Sequence, residues 1–351
     1  MSKVPRPAAS QLRDSRITLA HGSGGKAMGE LIEGLFVPIF GSAAHALEDQ
    51  ARLPLAEFGA QGDRLAFTTD SYVVDPLFFP GGDIGSLAVN GTVNDLAVGG
   101  ARPLYLSCAL IIEEGLALET LQRVVHSMQV AAMAAGVRIV TGDTKVVPRG
   151  TADQLFINTT GVGVIPAAVE IGAGRARPGD VILVNGHLGD HGAAIVDARG
   201  ELALENDIVS DCAPLNGLVA AMLAACPGIR CLRDVTRGGL ATVLNEFARA
   251  SNVALHLREA AIPVRDEVRG VCEILGFDPL YLANEGKLVA VVPAAAADAV
   301  LQTMHAHPAG RHSAVIGEVA AQPAATVILH TGFGGERIVD RLLGEQLPRI
   351  C

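Results

Sequence analysis

Four aspartates in this sequence stand where a predicted strand ends or a predicted helix begins: Asp70, Asp95, Asp143 and Asp234. Mg²⁺ prefers carboxylate oxygens, and it binds them together with water and the phosphates of a substrate. Each aspartate alone could equally be a helix cap or a turn former. Taken together, in a chain of which only 18% is charged, they favour a cleft that holds a metal ion and phosphates.

A glycine-rich loop precedes the first predicted helix, and its candidate residues are Gly22, Gly24, Gly25 and Lys26. Backbone N–H groups without a neighbouring Cβ can wrap phosphate oxygens, while the ammonium of Lys26 offsets their charge. The loop is not a Walker A motif, because alanines occupy the first glycine position and the position after the lysine. A flexible turn is the alternative interpretation.

Further charged side chains suit phosphate and proton chemistry. Lys145 could stabilise charge that develops on a phosphate, and Glu285 could take a proton. Surface ion pairing is the alternative, and it is the interpretation preferred for Lys287. His187 and His191 bracket Asp190 in a pattern that could bind a transition metal. An aspartate cap with solvated histidines is the preferred interpretation there.

Cys351, the last residue of the sequence, follows a polar segment and is therefore not expected to pack in the core. An extended segment of seven residues can reach about 23 Å. Such an arm could carry a group on its sulfur into a cleft, although an incidental thiol is the alternative.

Strand and helix patterns alternate along the chain, with a boundary predicted near Pro166. We predict helices over 27–40, 84–98, 117–135 and 336–343, and strands over 64–69, 103–112, 137–141 and 288–292. The predicted organisation is a flexible loop and helix (1–40), an N-terminal domain (41–165), a C-terminal domain (166–330) and a mobile tail (331–351).

Composition excludes several classes of function. The 27 Lys and Arg against 37 Asp and Glu give a net charge of −10, which argues against nucleic acid as a partner. The six cysteines form no CxxC pair, which is typical of a reducing cytoplasm. No apolar run is long enough to span a bilayer, so no membrane association is expected.

The motifs together resemble one family, the HypE carbamoyl dehydratases of nickel–iron hydrogenase maturation, within the PurM-like (AIR-synthetase-like) ATP-binding superfamily. The resemblance runs nearly end to end. Its motifs are HGSGGK at 21–26, TTDSYVVDPLFFPGGDIG at 68–85, VNDLAVGGARP at 93–103, TGDTKVV at 141–147, GDHG at 189–192, RDVTRGGL at 233–240, NEGK at 284–287 and PRIC at 348–351.

The resemblance implies an α/β N-terminal half whose strands form a barrel across a homodimer, and an α+β C-terminal half, with Mg·ATP between them. It implies that Asp70, Asp95 and Asp234 bind magnesium and phosphate, with Asp143 nearby. Lys26 would cover the phosphates, and Lys145 and Glu285 would lie near the incoming Cys351.

The implied reaction is the ATP-dependent dehydration of an S-carbamoyl group on Cys351 to a thiocyanate. A HypF-like carbamoyltransferase would load the sulfur, and a HypC–HypD scaffold would receive cyanide for iron. Two alternatives stay open. One is a related enzyme with a free substrate, such as selenophosphate synthetase or thiamine-monophosphate kinase; the former is disfavoured because the segment 23–26 has no thiol. The other is a non-catalytic scaffold that binds iron through His187 and His191.

Overall fold

The computed structural model describes residues 14–41, 50–200, 207–342, 344 and 347–351. Several parts of the predicted segments lie outside the described residues: 1–13 of the N-terminal loop, 42–49 of the N-terminal domain, 201–206 of the C-terminal domain, and 343, 345 and 346 of the predicted tail. Within the described ranges, no helix is long and apolar enough to cross a membrane.

The N-terminal half is built on a four-stranded sheet in the order β1-β6-β4-β5. Strand β6 runs antiparallel to both neighbours, whereas β4 and β5 are parallel. The strands are β1 (Arg64–Tyr72), β4 (Arg102–Glu113), β5 (Arg138–Val147) and β6 (Leu155–Ile165), and a small hairpin joins β2 (Phe78–Phe79) to β3 (Gly82–Asp83).

Helix α4 (Ile84–Val98) forms the centre of the molecule. It begins at Asp83, whose carboxylate accepts hydrogen bonds from the N–H groups of Gly85 (2.7 Å) and Ser86 (3.1 Å). Residues on every side of the helix are buried, and they include the polar side chains of Asn90, Thr92 and Asn94. The helix thus packs on the first sheet and α5 on one side, and its end packs on the C-terminal half.

The helices predicted over 27–40 and 117–135 are confirmed, and one short helix was not predicted. Helix α5 (Leu118–Ala135) ends at Gly136, which adopts a left-handed conformation with φ of 69°. The helix predicted over 27–40 is continuous: α1 (Lys26–Leu31), a π-helical stretch (Ile32–Phe36) and α2 (Val37–Phe40) follow one another. A short helix, α3 (Leu55–Gly59), precedes β1.

The C-terminal half contains a mixed seven-stranded sheet in the order β13-β12-β9-β11-β7-β10-β8, covered by helices. Its strands are β7 (Val181–Val184), β8 (Cys231–Asp234), β9 (Ala254–Arg258), β10 (Leu288–Val292), β11 (Ala314–Ala320), β12 (Thr326–His330) and β13 (Glu336–Ile338). Its helices are α6 (Asp190–Ala198), α7 (Asn216–Ala225), α8 (Gly239–Ser251), α9 (Asp266–Leu275) and α10 (Ala294–Ala306).

The helix predicted over 336–343 is wrong where the structure describes that segment. Residues Glu336–Ile338 instead form β13, which pairs antiparallel with β12. The reason is a turn between the two strands, in which the Thr331 N–H donates to the Gly335 carbonyl (2.8 Å). Gly334 supplies the positive φ of 83° that this reversal requires.

Candidate active site

The acidic residues predicted to bind metal and phosphate meet between the two halves. Asp70 lies on β1, and Asp95 lies in the last turn of α4 rather than at a helix start. The hydroxyl of Thr68 donates to the Asp95 carboxylate at 3.0 Å. Asp234 ends β8 of the second sheet, opposite Leu288 of β10. We call Asp70, Asp95 and Asp234 the acidic cluster.

Burial and nearby negative charge shift the pKa values of Asp95 and Asp234. Burial, reinforced by the negative charge of Asp95, raises the pKa of Asp234 from 3.8 to about 7. Burial also raises the pKa of Asp95, and the Asp70 charge adds to that rise. The described residues contain no ready-made set of three or more His, Cys, Asp or Glu side chains that could hold a metal ion. A cation bound here would therefore draw further ligands from water and phosphate, which is the usual coordination of Mg²⁺.

Glu285 is a buried carboxyl group beside the acidic cluster. Its Oε1 atom has no hydrogen-bond partner among the described residues. Burial raises the pKa of Glu285 well above its usual range, and the charges of Asp211 and Asp234 raise it further. A buried polar atom without a partner is rare in folded proteins, so it marks a position where a ligand would be favourable.

Asp211 holds the backbone that carries Glu285. Its carboxylate accepts from the N–H groups of Glu285 (3.1 Å) and Gly286 (3.0 Å), and it pairs with Lys287 Nζ at 3.0 Å. Burial works to raise the pKa of Asp211, but Lys287 and the other donors outweigh it and lower that pKa. The Lys287 and Asp211 side chains are only 13% and 3% exposed, so the interpretation of Lys287 as a surface ion-pairing residue is wrong.

The Cys351 thiol lies next to Glu285. Burial raises the pKa of Cys351 well above its usual value, and the Glu285 carboxyl beside it adds to the rise. Arg237 acts in the opposite direction on both groups. The Cys351 thiol and the Glu285 carboxyl thus lie close enough to the acidic cluster for its charges to act on both groups.

A second group of predicted residues lies elsewhere. Asp143 and Lys145 lie on β5 opposite Ala109 and Ile111, and their side chains pair at 3.0 Å while 58% and 63% exposed. Strand β5 is three strand positions from β1, which corresponds to about 14 Å. Within one chain, therefore, Asp143 and Lys145 do not join the acidic cluster.

The glycine loop packs against this same edge of the first sheet. A Cβ atom at Gly22 would lie 2.6 Å from the backbone nitrogen of Val146 on β5, so only glycine fits there. Gly24 has a positive φ of 77°, and Gly25 precedes α1. Lys26 is exposed and pairs loosely with Glu30 at 3.7 Å. We call Gly22–Lys26, Asp143 and Lys145 the edge group.

The predicted helix cap and solvated histidines at 187–191 are corrected by the structure. Asp190 is the first residue of α6 and pairs with Arg265 at 3.1 Å. His191 is fully buried, and its two ring nitrogens contact the Ser210 hydroxyl and the Ile350 carbonyl, each at 2.8 Å. His187 instead lies beside His312, with ring centroids 4.6 Å apart and ring planes tilted by 46°. A shared metal site of His187 and His191 is not formed.

Several functional candidates were not predicted. Arg237 lies inside the RDVTRGGL motif, so that motif was a usable signal. No local sequence pattern identifies Asp211, because its partners Glu285 and Lys287 lie more than seventy residues away in the sequence. Only the folded chain shows that it supports Glu285.

Comparison with known proteins finds relatives that match 97% of this chain. The profile of "AIR synthase related protein, N-terminal domain" matches residues 48–165, and that of the C-terminal domain matches residues 177–330. A protein of Rhodobacter capsulatus named carbamoyl dehydratase HypE is 61% identical over 340 residues, covering 97% of this chain and 99% of that protein.

Two solved structures show the same similarity. A hydrogenase maturation protein HypE in complex with ATP is 51% identical with a TM-score of 0.88, covering 95% of this chain and 99% of its own. HypE in a HypE–HypF complex is 47% identical with a TM-score of 0.77, covering 89% of this chain and 99% of its own. This chain belongs to the carbamoyl dehydratase HypE family, whose two halves are the AIR synthase related domains.

Proposed function

We propose that this chain uses ATP to dehydrate an S-carbamoyl group on its own Cys351, which leaves a thiocyanate on the sulfur. The observation that carries the proposal is the position of the Cys351 thiol beside Glu285 and the acidic cluster. Because the substrate is attached to the enzyme, a high effective concentration replaces ordinary substrate binding.

The acidic cluster fits a magnesium nucleotide. Burial raises the pKa of Asp234, and the negative charges of Asp95 and Asp70 raise it further, because the three carboxylates repel one another. A cation and its phosphate ligands would relieve this repulsion. When bound, ATP supplies a phosphoryl group that converts the carbamoyl oxygen into a leaving group, and Mg²⁺ offsets the charge. These three aspartates would hold the magnesium.

Glu285 is the proposed proton acceptor. Its unpartnered Oε1 is available to accept from the N–H groups of the carbamoyl amide. Burial raises the pKa of Glu285, and a carboxylate with a raised pKa is a stronger base than an ordinary glutamate. A cation at the acidic cluster would stabilise the ionised carboxylate and so prepare it as a base. Arg237 lies near enough to offset negative charge at the same place.

In the proposed function, the edge group contributes to the site of a second copy in a homodimer. The outer face of the first sheet exposes Leu65 (63%), Phe67 (74%) and Ile111 (42%), and Lys145 lies opposite Ile111 on that face. Packing of two copies through this face would bury these side chains. The dimer would also bring Lys26, Asp143 and Lys145 of one copy toward the cleft of the other, where they would bind phosphate.

The remaining partners follow from the chemistry of the sulfur. A HypF-like carbamoyltransferase would load Cys351, and a HypC–HypD scaffold would accept the cyanide for iron. We place these steps in the cytoplasm, where the six cysteines, all of them free thiols in the structure, would stay reduced.

Mass spectrometry of the peptide that contains Cys351 tests the proposal. After incubation with the carbamoyl donor system, the peptide should gain a carbamoyl group, and after addition of Mg·ATP it should lose one water. The variant Cys351→Ser, which lacks the sulfur, should show neither change while it still binds ATP. Loss of water without ATP, or at another residue, would refute the proposed reaction.

A further inference from the structure

One buried tyrosine lies beside the acidic cluster and takes no part in the proposed reaction. Tyr72 is the last residue of β1, two positions after Asp70, so both side chains lie on the same face of that strand. Tyr72 is only 2% exposed. Its pKa lies well above the usual value, mainly because of burial and next because of the charge of Asp70. The phenol is therefore a neutral, buried group next to a proposed metal ligand.

The Tyr72 hydroxyl begins a series of three hydrogen bonds inside the N-terminal half. It lies 3.2 Å from Oγ1 of Thr92, which lies 2.5 Å from Oγ1 of Thr159. The Thr159 hydroxyl donates to the carbonyl of Ala88 at 2.9 Å. We call Tyr72, Thr92 and Thr159 the hydroxyl network. It joins three elements, because its members lie on β1, α4 and β6.

The carbonyl at the end of the hydroxyl network fixes the direction of every bond in it. A carbonyl can only accept, so the single hydroxyl proton of Thr159 is donated to Ala88. Thr92 must then donate to Thr159, and Tyr72 must donate to Thr92. The phenolic proton is consequently committed to Thr92 and is not available for transfer to a substrate.

The hydroxyl network lies next to both aspartates that the N-terminal half contributes to the acidic cluster. Thr159 stands opposite Asp70 in the pairing of β1 with β6. Thr92 lies three residues before Asp95 in α4, a spacing that places both side chains on one face of the helix. Thr68, on the same face of β1 as Asp70, donates to Asp95 at 3.0 Å. The bonds that join β1, β6 and α4 therefore form at the positions of the proposed metal ligands.

Two glycines allow the close approach of α4 to the first sheet. A Cβ atom at Gly91 would overlap the hydroxyl oxygen of Tyr72, and one at Gly161 on β6 would lie 2.8 Å from Cγ2 of Thr92. A side chain at either position would push α4 away from the sheet. The packing is thus tight on both sides of the hydroxyl network, which leaves its hydroxyl groups no room to turn to other partners.

We propose that the hydroxyl network is a set of positioning residues that fixes the spacing between Asp70 of β1 and Asp95 of α4. Two carboxylates on separate elements can share a cation only when those elements keep a constant spacing, and Mg²⁺ demands near-ideal octahedral geometry. Hydrogen bonds restrict that spacing more narrowly than apolar contact does, because they have preferred distances and directions. The inference rests on the magnesium site of the proposed function.

Direct binding of Mn²⁺, a paramagnetic substitute for Mg²⁺, tests the proposal without any turnover. Electron paramagnetic resonance measures free Mn²⁺ in the presence of the full chain and a non-hydrolysable ATP analogue. Thr92→Val keeps the shape of the side chain but interrupts the hydroxyl network and leaves the buried Tyr72 hydroxyl without an acceptor. The dissociation constant for Mn²⁺ should therefore rise by about 10-fold or more. Tyr72→Phe removes only the first bond and should raise it by about 3-fold.

Three control variants separate positioning from a general loss of stability. Thr92→Ser retains the hydroxyl and should bind Mn²⁺ within about 2-fold of the parent chain. Tyr281→Phe removes a hydroxyl that donates to the Asp340 carbonyl at 2.8 Å, in the C-terminal half, and should leave the affinity unchanged. Asp70→Asn removes a proposed ligand and should give the largest loss. Denaturant unfolding of every variant shows how much stability each one has lost.

Unchanged Mn²⁺ affinity in Thr92→Val would overturn the positioning role, because the hydroxyl network would then support the fold alone. Equal losses of affinity in Thr92→Val and Thr92→Ser would overturn it as well. If the parent chain binds no Mn²⁺ with the nucleotide, the magnesium site of the proposed function fails and the positioning role fails with it. If the parent chain and Asp70→Asn bind Mn²⁺ equally well, the metal lies elsewhere and both are again wrong.

Discussion

The acidic cleft and the edge group contain the same kinds of charged residues in opposite surroundings. In the cleft, Asp234 and Glu285 are buried, and burial and neighbouring charges shift their pKa values strongly upward. At the edge of the first sheet, Asp143 and Lys145 form an ion pair in contact with water. The comparison teaches that burial shifts the pKa values of the cleft carboxyl groups, whereas the role proposed for the edge group needs a second molecule that removes it from water.

The largest expected effect follows from removing the buried carboxyl of Glu285. Glu285→Gln keeps the shape of the side chain and the backbone bonds to Asp211, but it cannot accept a proton. We expect single-turnover water loss from the carbamoylated chain to fall by about 10²–10⁴-fold, the usual contribution of a general base. The measurement is quenched-flow mass spectrometry of the Cys351 peptide, with ATP affinity as the control. A decrease smaller than 10-fold would assign the proton transfer to another group.

A second prediction concerns the charge of the acidic cluster. Because the pKa of Asp234 is about 7 in the folded chain and 3.8 otherwise, the folded state binds a proton between these values that the unfolded state does not. The contribution of Asp234 to stability should therefore be complete below about pH 4 and be lost as the pH rises through 7. Asp234→Asn removes this decline, so its free energy of unfolding should exceed that of the parent by up to about 4 kcal/mol at pH 8.

Chemical denaturation in the presence of a chelator, at pH 4.5 and at pH 8, measures this difference. Excess Mg²⁺ and ATP should reduce it in the parent chain, because a bound cation compensates the repulsion. Equal stabilities of the two chains at both pH values would contradict the repulsion inferred for the cluster.

The buried ion pair beside Glu285 gives the third prediction. Lys287→Met retains the aliphatic stem but leaves the carboxylate of Asp211 buried without its cation. Loss of one partner of a buried pair costs about 3–5 kcal/mol, and we expect a destabilisation at the lower end because Asp211 keeps its backbone donors. Denaturant unfolding provides the measurement. The double variant Lys287→Met/Asp211→Asn should recover part of the loss, and an additive loss would argue against direct pairing.

Much of the fold, but only part of the candidate site, could be predicted from the sequence. The sequence pattern located α4 over 84–98 and β10 over 288–292 at the observed residues, because α4 has a capping aspartate at its start and β10 is apolar throughout. Periodicity did not predict strand β13, because the place of this strand in the sheet depends on pairing with β12 after a glycine turn. A local sequence pattern does not show which strand a segment will pair with once the chain has folded.

The same reason explains what was missed in the site. Motifs identified candidate site residues, namely Asp70, Asp234, Glu285 and Cys351. The resemblance predicted that these residues lie close together. No local signal showed that Lys287 is buried against Asp211, since an exposed and a buried lysine look alike in a sequence. The hydrogen bond between His191 and the Ile350 carbonyl joins residues 159 positions apart, which periodicity cannot detect.

The smallest expected effect completes the comparison of the two lysines. Lys145→Met removes an ion pair of which both members are more than half exposed, and such pairs contribute less than about 1 kcal/mol. The free energy of unfolding should therefore change within that limit, in contrast to Lys287→Met. Water loss should nevertheless slow by about 10-fold or more if a second copy delivers Lys145 to phosphate, because a cation that offsets developing charge is lost. Activity that is unchanged while sedimentation shows an intact dimer would remove Lys145, and with it the edge group, from the proposed site.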